Sequence, residues 1–529
     1  MSTDPSPLDL TADVVVAGGG PAGAWAALAA AQTGADVLLL DKGYCGTSGP
    51  TASGGTGVWY VRPDPDDREQ AMASREALGG HLADRRWAAR VLDQTYENMH
   101  RLGTEARYPF PVVDGEPYRR GVQGPEYMRR MRSWIRRAGV RILDHSPVLE
   151  LLIDPAGTVA GVRGHRRQHD LDYRVRAGAV VLATGGCAFL SKALGCDVDT
   201  GDGALYAAEV GAELSGMEFS TAYGIAPAFA SVTKTAYYNF ATFFRADGST
   251  LEGASNQGGR SVIAAELLRA GTVLCTLDQA DPDQQARMRR GQPNFFLPFD
   301  RLGIDPFTDR FPVTLLLEGT VRGTGGIRIA GDDCATTVPG LYAAGDAATR
   351  ELICGGFTGG GSHNAAWAMS SGTWAGRGAA RFAAGVGGGS ARRRLVGTGG
   401  AGLRSGAAVT AEALLTVREQ VHPYDKNYLR HGDRLRPALA ELDGVWSALR
   451  DGAATPGAAA VRTRPAAAMV AHARWMYTSA LARTESRGMA RREEFPELDP
   501  AQQHRLTVGG LDRIWVRPET AGARQAVAS

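Results

Sequence analysis

An α/β fold is predicted by three consecutive stretches near the N-terminus of this 529-residue chain. Residues 13–17 (DVVVA) form a β-branched strand, Gly23 to Gln32 an alanine-rich helix, and 36–41 a second buried strand. Between strand and helix, Gly18-Gly19-Gly20-Pro21-Ala22-Gly23 supplies GxGxxG. The first glycine allows the tight turn, the second lets backbone approach a pyrophosphate, and the third lets helix pack on strand. Phosphates then sit at a helix N-terminus, where free N–H groups and the dipole favour anions. Asp41 ends the second strand, 23 residues after Gly18, and is placed to bind ribose hydroxyls. Trp25 is expected to pack the helix rather than touch a ligand.

Composition sets the outer limits. The length exceeds one core, so two or three domains are expected. Hydrophobic residues make up 44% and charged residues 22%, as in ordinary globular proteins, and the formal charge of +2 gives no sign of a polyanionic partner. The arginines of MRRMRSWIRR (128–137) alternate with apolar residues and read as the outer face of a helix, so no nucleic-acid binding is expected. No 18-residue apolar run occurs, and MSTDPSPLDL lacks a signal-peptide pattern. A cytoplasmic protein without a membrane anchor is therefore expected. The six cysteines (45, 187, 196, 275, 334, 354) form no CxxC pair, which argues against a metal or an iron–sulfur cluster held by this chain.

Asp41 alone suits NAD or FAD. Two distant segments decide between them: AGAVVLATGG (177–186), a buried strand ending in Ala-Thr-Gly-Gly, and VPGLYAAGDAA (338–348), a strand running into Gly345-Asp346. The trio resembles the two-dinucleotide-binding-domain flavoproteins, in which the Gly-Asp element reaches the ribityl chain of FAD. No second GxGxxG follows a strand, so a built-in NAD(P)H domain is not expected. A separate puzzle is QGGRSVIAAELL (257–268), which puts Arg260 at the start of a helix whose dipole repels cations.

TGDGALYAAEVGAELSGMEF (200–219), TGGI (324–327), ARTESRGMARREEFPELDP (482–500) and the Arg260 segment complete the pattern. With them the chain resembles the fumarate reductase/succinate dehydrogenase flavoprotein superfamily, which includes L-aspartate oxidase and the adenylylsulfate reductase alpha subunit. The stretch 421–446 resembles the last of these in particular. The architecture implied is a Rossmann-like FAD-binding domain (1–217 and 323–400), an inserted α+β capping domain (218–322) and a C-terminal helical domain (401–529). Periodicity supports the last part independently: Leu435, Leu439, Leu442, Trp446 and Leu449 recur at helical spacing. The run 385–400 reads as a flexible linker.

The flavin contacts implied by the resemblance are Gly18, Gly20, Ala22, Gly23, Asp41, Lys42, Thr51, Ser53, Gly54, Gly55, Val148, Thr184, Gly185, Asp202, Asp346, Asn364 and Ala365. The last two open a helix whose N-terminus would face the flavin N1/C2 edge. A histidine before the Thr51 loop attaches FAD covalently in quinone-linked members. Pro50 stands there, so FAD is expected to bind non-covalently, and Cys45 nearby is expected to be an ordinary buried thiol.

In fumarate reductases an arginine opening a capping-domain helix donates the proton that accompanies hydride transfer. Arg260 matches it, with Ser261 in place of the usual aspartate. Other substrate-binding positions have changed. STAYGIAPAF (220–229) replaces a Phe-His-Pro-Thr element, a histidine falls near Val321 or Arg322, and the carboxylate-clamping arginine falls at about Gly359. Tyr223, Arg322 and His363 are the remaining polar candidates beside Arg260, while Tyr237 and Tyr238 are expected to pack the cap. The resemblance thus implies an FAD-dependent dehydrogenase or reductase for a small organic substrate other than succinate, fumarate or aspartate. It would use an external electron donor or acceptor, for which a ferredoxin-like protein is a candidate. The alternative is the flavoprotein subunit of an adenylylsulfate reductase-type complex with an iron–sulfur partner.

Overall fold

A central sheet of mostly parallel strands organises the chain around the glycine-rich turn. The computed structural model describes residues 7–233, 235–358, 360–386, 389, 392–400, 407–451 and 457–519. β1 (Leu8–Ala17) lies between β2 (Val37–Leu40) and the long strand Leu171–Leu182, parallel to both. Leu171–Leu182 splits its partners: its first half pairs antiparallel with Val159–Arg166, and its end pairs parallel with Leu341–Ala343. Residues 180–182 and 341–343 are thereby held beside the C-terminal end of β1, where ligands bind in such sheets.

The β1 strand is buried on both faces from Val14 to Ala17, which explains its unbroken apolar run. Helix α1 (Pro21–Ala31) starts at N-cap Gly20 with proline at its first turn and is buried from Ala22 to Ala30. Its small residues let the helix Gly360–Ala384 approach closely. A Cβ on Gly372 would stand 2.4 Å from the Ala22 carbonyl oxygen, and one on Gly376 2.1 Å from that of Ala26. Trp25 is fully buried and donates to the Tyr127 hydroxyl at 2.7 Å, as a packing residue should. The helix Gly124–Arg137 turns Met128, Met131, Trp134 and Ile135 inward.

The segment expected to form the cap contains a four-stranded antiparallel sheet in the order Ala222–Pro227, Phe311–Glu318, Val273–Thr276, Thr242–Phe244. Tyr237 and Tyr238 pack there against Phe295. Beyond residue 406 the chain is helical over Ala407–Val421, Gly432–Asp451 and Ala460–Ala482, then turns to strand. Leu506–Gly509 pairs with Leu214–Ser215 and with Trp515–Pro518, so the C-terminal region ends in a small sheet rather than a helix. Leu435, Leu442, Trp446 and Leu449 form the buried face of Gly432–Asp451.

The run 385–400 differs from the expected linker. Part of it (387, 388, 390 and 391) lies outside the described residues, but the rest is fastened to the main sheet. Arg393 pairs with Asp154 at 2.6 Å and donates to the carbonyls of Val159, Ala177 and Gly178. Thr398 and Gly399 donate to Glu150. Among the described residues no helix is long and apolar enough to cross a membrane.

Candidate functional site

The ends of β1, Leu171–Leu182 and Leu341–Ala343 open into a cleft. Of the seventeen residues expected to touch FAD, thirteen line it: Gly18, Gly20, Ala22, Asp41, Lys42, Thr51, Val148, Thr184, Gly185, Asp202, Asp346, Asn364 and Ala365. At Gly18 φ is +110°, and a Cβ would stand 2.1 Å from the Ala183 carbonyl oxygen, so only glycine fits. Gly20 has nothing within 4 Å of a built Cβ, which leaves open space at the helix N-terminus. The other four contacts lie elsewhere. A Cβ on Gly23 would stand 1.8 Å from the Gly18 carbonyl oxygen, so that glycine serves the turn itself. Ser53, Gly54 and Gly55 line a second cavity instead, where Gln292 accepts from the Gly55 N–H at 3.0 Å.

Charges within the cleft are arranged in pairs. Asp41 accepts from the Gly19 and Gly43 N–H groups at 2.7 and 2.6 Å and from Ser48, which fixes its carboxylate beside the phosphate turn. Lys42 donates to Asp202 at 2.8 Å and to Thr200. Burial works against the Lys42 charge, but Asp202, Asp199 and Asp41 outweigh it and raise its pKa. Asp346 is held by Arg350, which also donates to the Thr320 and Val321 carbonyls. Arg350 thereby fixes the loop that carries Arg322.

Asp199 was missed by the sequence reading. It lines the cleft fully desolvated, its pKa well above the ordinary carboxylate range, and its Oδ2 has no hydrogen-bond partner among the described residues. Its place in DVDTGDG, three residues before Asp202, was the available signal. Thr184 Oγ1 and Asn364 Oδ1, buried on the cleft wall, likewise lack partners among the described residues. Unpaired buried polar atoms around an open, helix-capped glycine turn fit a ribityl-pyrophosphate ligand that would satisfy them.

The second cavity is a chamber contiguous with the cleft, and Pro50, Thr56, Arg322 and Gly361 border both. Arg260 enters it from the first turn of the helix Arg260–Ala270. Its guanidinium bends back to the Tyr223 carbonyl at 2.8 Å and to the Asn256 carbonyl and amide oxygens at 2.9 and 3.1 Å. Those oxygens compensate the unfavourable helix terminus. Burial and the neighbouring Arg322 lower its pKa, against the pull of Tyr428 and Glu318. Arg322, one helical turn after Glu318, lies 3.6 Å from that carboxylate, which raises its pKa.

Two of the four polar candidates stand apart. The Tyr223 hydroxyl donates to the Val421 and His422 carbonyls, away from the chamber, because its strand Ala222–Pro227 turns that side chain toward the C-terminal helices. His363 is buried, packs tilted against Trp59 with ring centroids 4.3 Å apart, and borders neither cavity. Gly359, the position of the clamp, lies outside the described residues. The chamber also brings in Arg75, Thr233, Asn256, Gln292 and Glu318. Asn256, one turn before Arg260, was within reach of sequence reasoning; Arg75 and Gln292 carried no local signal.

Residues 13–247 match the family model described as FAD dependent oxidoreductase, and 426–517 match that of the fumarate reductase flavoprotein C-term. L-aspartate oxidase of Streptomyces coelicolor is 27% identical over 544 residues, covering 95% of this chain and 92% of the relative. Urocanate reductase of Eggerthella lenta is 30% identical over 203 residues, 34% of this chain and 33% of the relative. Quinol fumarate reductase of E. coli superposes with a TM-score of 0.81 at 21% identity, covering 97% of each chain. Adenylylsulfate reductase of Archaeoglobus fulgidus gives 0.74 at 17% identity over 97% of this chain and 96% of that one. Fold, cleft and comparisons define an FAD-dependent oxidoreductase. The chain resembles the fumarate reductase flavoproteins over both matched regions and L-aspartate oxidase along nearly its whole length.

Proposed function

We propose that the protein transfers a hydride between flavin N5 and a small organic acid bound in the chamber, and that this acid is not succinate, fumarate or aspartate. FAD supplies the hydride-accepting and hydride-donating centre; the chain supplies binding, orientation and a proton. The observation that carries the reading is the shared wall: Arg322 borders cleft and chamber, and Arg260 reaches the chamber from the cap. Among the described residues Arg322 has its ion pair with Glu318 and no hydrogen bond, so its fork is left for a substrate carboxylate. Arg260, beside it, holds a proton on a guanidinium whose pKa is lowered.

What the chamber receives supports a changed substrate. None of residues 220–229 reaches it, and Thr358, Gly360 and Gly361, which flank the clamp position, bring no cation. Arg75 enters instead from a different element, the helix Pro65–Glu76. An external electron donor or acceptor completes the cycle. To test this, dithionite-reduced holoenzyme is mixed anaerobically with fumarate, crotonate or cinnamate while flavin absorbance is followed. Crotonate or cinnamate should restore the oxidised spectrum and fumarate should not. Equal reaction with fumarate overturns the substrate assignment, and no reoxidation by any of them overturns the hydride-transfer reading.

FAD attachment is non-covalent in this reading. Pro50 borders both cavities, and among the described residues the cleft that would hold FAD is lined by no histidine or cysteine, Cys196 lining the chamber instead. Cys45 faces the Gly19 carbonyl instead, and burial pushes its thiol up to about 12. Acid precipitation should therefore leave all yellow colour in the supernatant; colour in the pellet would contradict it.

A further inference from the structure

We propose that Tyr428 carries protons between Arg260 and solvent, in place of the acidic neighbour that Ser261 does not supply. The proposal rests on the hydride-transfer reading above. Arg260 separates two cavities. On one side is the chamber; on the other is a smaller cavity, lined in part by Tyr428, Thr358, Gly488 and Arg491. The Tyr428 ring packs edge-on against Tyr223 at 5.3 Å, and the Tyr223 carbonyl accepts from Arg260 Nη1 at 2.8 Å. One residue thus fixes both members of the relay. Tyr223 has no free hydroxyl for this role, since its own is spent on the Val421 and His422 carbonyls. Among the described residues no protein group is hydrogen-bonded to the Tyr428 hydroxyl, and Arg491 at the cavity's rim is exposed.

The charges around the phenol suit a transient anion. Burial raises its pKa, while Arg260 and Arg491, the cations acting on it, pull the other way. When substrate is reduced, an N–H bond of Arg260 breaks and its proton goes to substrate, leaving a neutral guanidine. The Tyr428 O–H then breaks and the Arg260 N–H re-forms. The tyrosinate takes a proton from water at the Arg491 side. Each electron pair stays on its heavy atom, so the relay needs no oxidant or reductant, and substrate oxidation runs it in reverse.

Two measurements on the holoenzyme test it. The first needs no substrate. Ultraviolet difference titration of wild type against Tyr428→Phe isolates the Tyr428 ionisation, which is then repeated with Arg260→Met in both proteins. Removing the Arg260 charge should move that ionisation upward by about one pH unit or more; an unmoved titration overturns the relay. The second uses crotonate with dithionite-reduced enzyme. Tyr428→Phe should reoxidise at the wild-type rate in its first turnover, then fall at least about tenfold in kcat with KM unchanged. Equal slowing of the first and later turnovers would make Tyr428 a packing residue for Arg260 and overturn the relay. If crotonate oxidises neither protein, the hydride-transfer reading fails, while the titration still decides whether the two groups are coupled.

Discussion

Replacing Arg260 by lysine should lower turnover about 10²- to 10⁴-fold while FAD content stays at the wild-type level. The guanidinium uses Nε, Nη1 and Nη2 for three protein oxygens and keeps its remaining N–H bonds toward the chamber. A lysine has one nitrogen and cannot meet the Asn256 and Tyr223 oxygens and a substrate together. Its ammonium would settle on the carbonyls, leaving the chamber without a donor. None of the three oxygens belongs to the FAD cleft, so flavin stoichiometry reports separately that the fold is intact. Turnover within a factor of about three of wild type would remove Arg260 from the chemistry.

Arg260 also shows how far the sequence could be read. The strand–GxGxxG–helix–strand unit is local, its turn, its helix and the Asp41 that accepts from Gly19 lying within about 30 positions of one another, so its pattern alone predicts the turn. The thirteen contacts that line the cleft came from the family resemblance, which such motifs carry. Ser53, Gly54 and Gly55 went to the chamber because Gln292, at the junction of two helices more than two hundred residues away, binds their loop. Tyr223 could not be placed from sequence either. Every residue of its strand Ala222–Pro227 is buried, so alternation gives no inner and outer face. Arg75 and Glu318 meet at the chamber only through tertiary packing of the helix Pro65–Glu76 and the cap. Chamber residues of this kind carry no spacing signature, which is why the cofactor was legible and the substrate was not.

Glu485→Gln should cost about 3–5 kcal/mol of folding stability at neutral pH. The segment ARTESRGMARREEFPELDP, which carried much of the resemblance, is a buried arginine–glutamate knot. Glu485 Oε1 accepts from Arg483 at 2.7 Å and Arg487 at 2.6 Å, and Oε2 accepts from Arg487 at 2.9 Å and the Asp499 N–H at 2.8 Å. The three side chains are at most 1% exposed. An amide there offers two donors to two guanidiniums and leaves Arg487 without its only carboxylate partner among the described residues. Arg483 keeps Glu218 at 2.8 Å, so the damage centres on Arg487, which ties this segment to the Gly80 and Asp499 carbonyls. The pH dependence follows from the carboxylate. Burial alone would raise its pKa, but Arg487, the Asp499 N–H and Arg483 hold it below the ordinary glutamate value of 4.5. A depressed folded-state pKa contributes stability that is fully present above the unfolded value and is lost as pH falls through the folded one. The gap between wild type and Glu485→Gln, measured by urea unfolding, should therefore be constant from neutral pH down to the unfolded value and shrink below it. A gap under about 1 kcal/mol at pH 7, the size of an exposed pair, would show that the knot is not desolvated as its geometry requires.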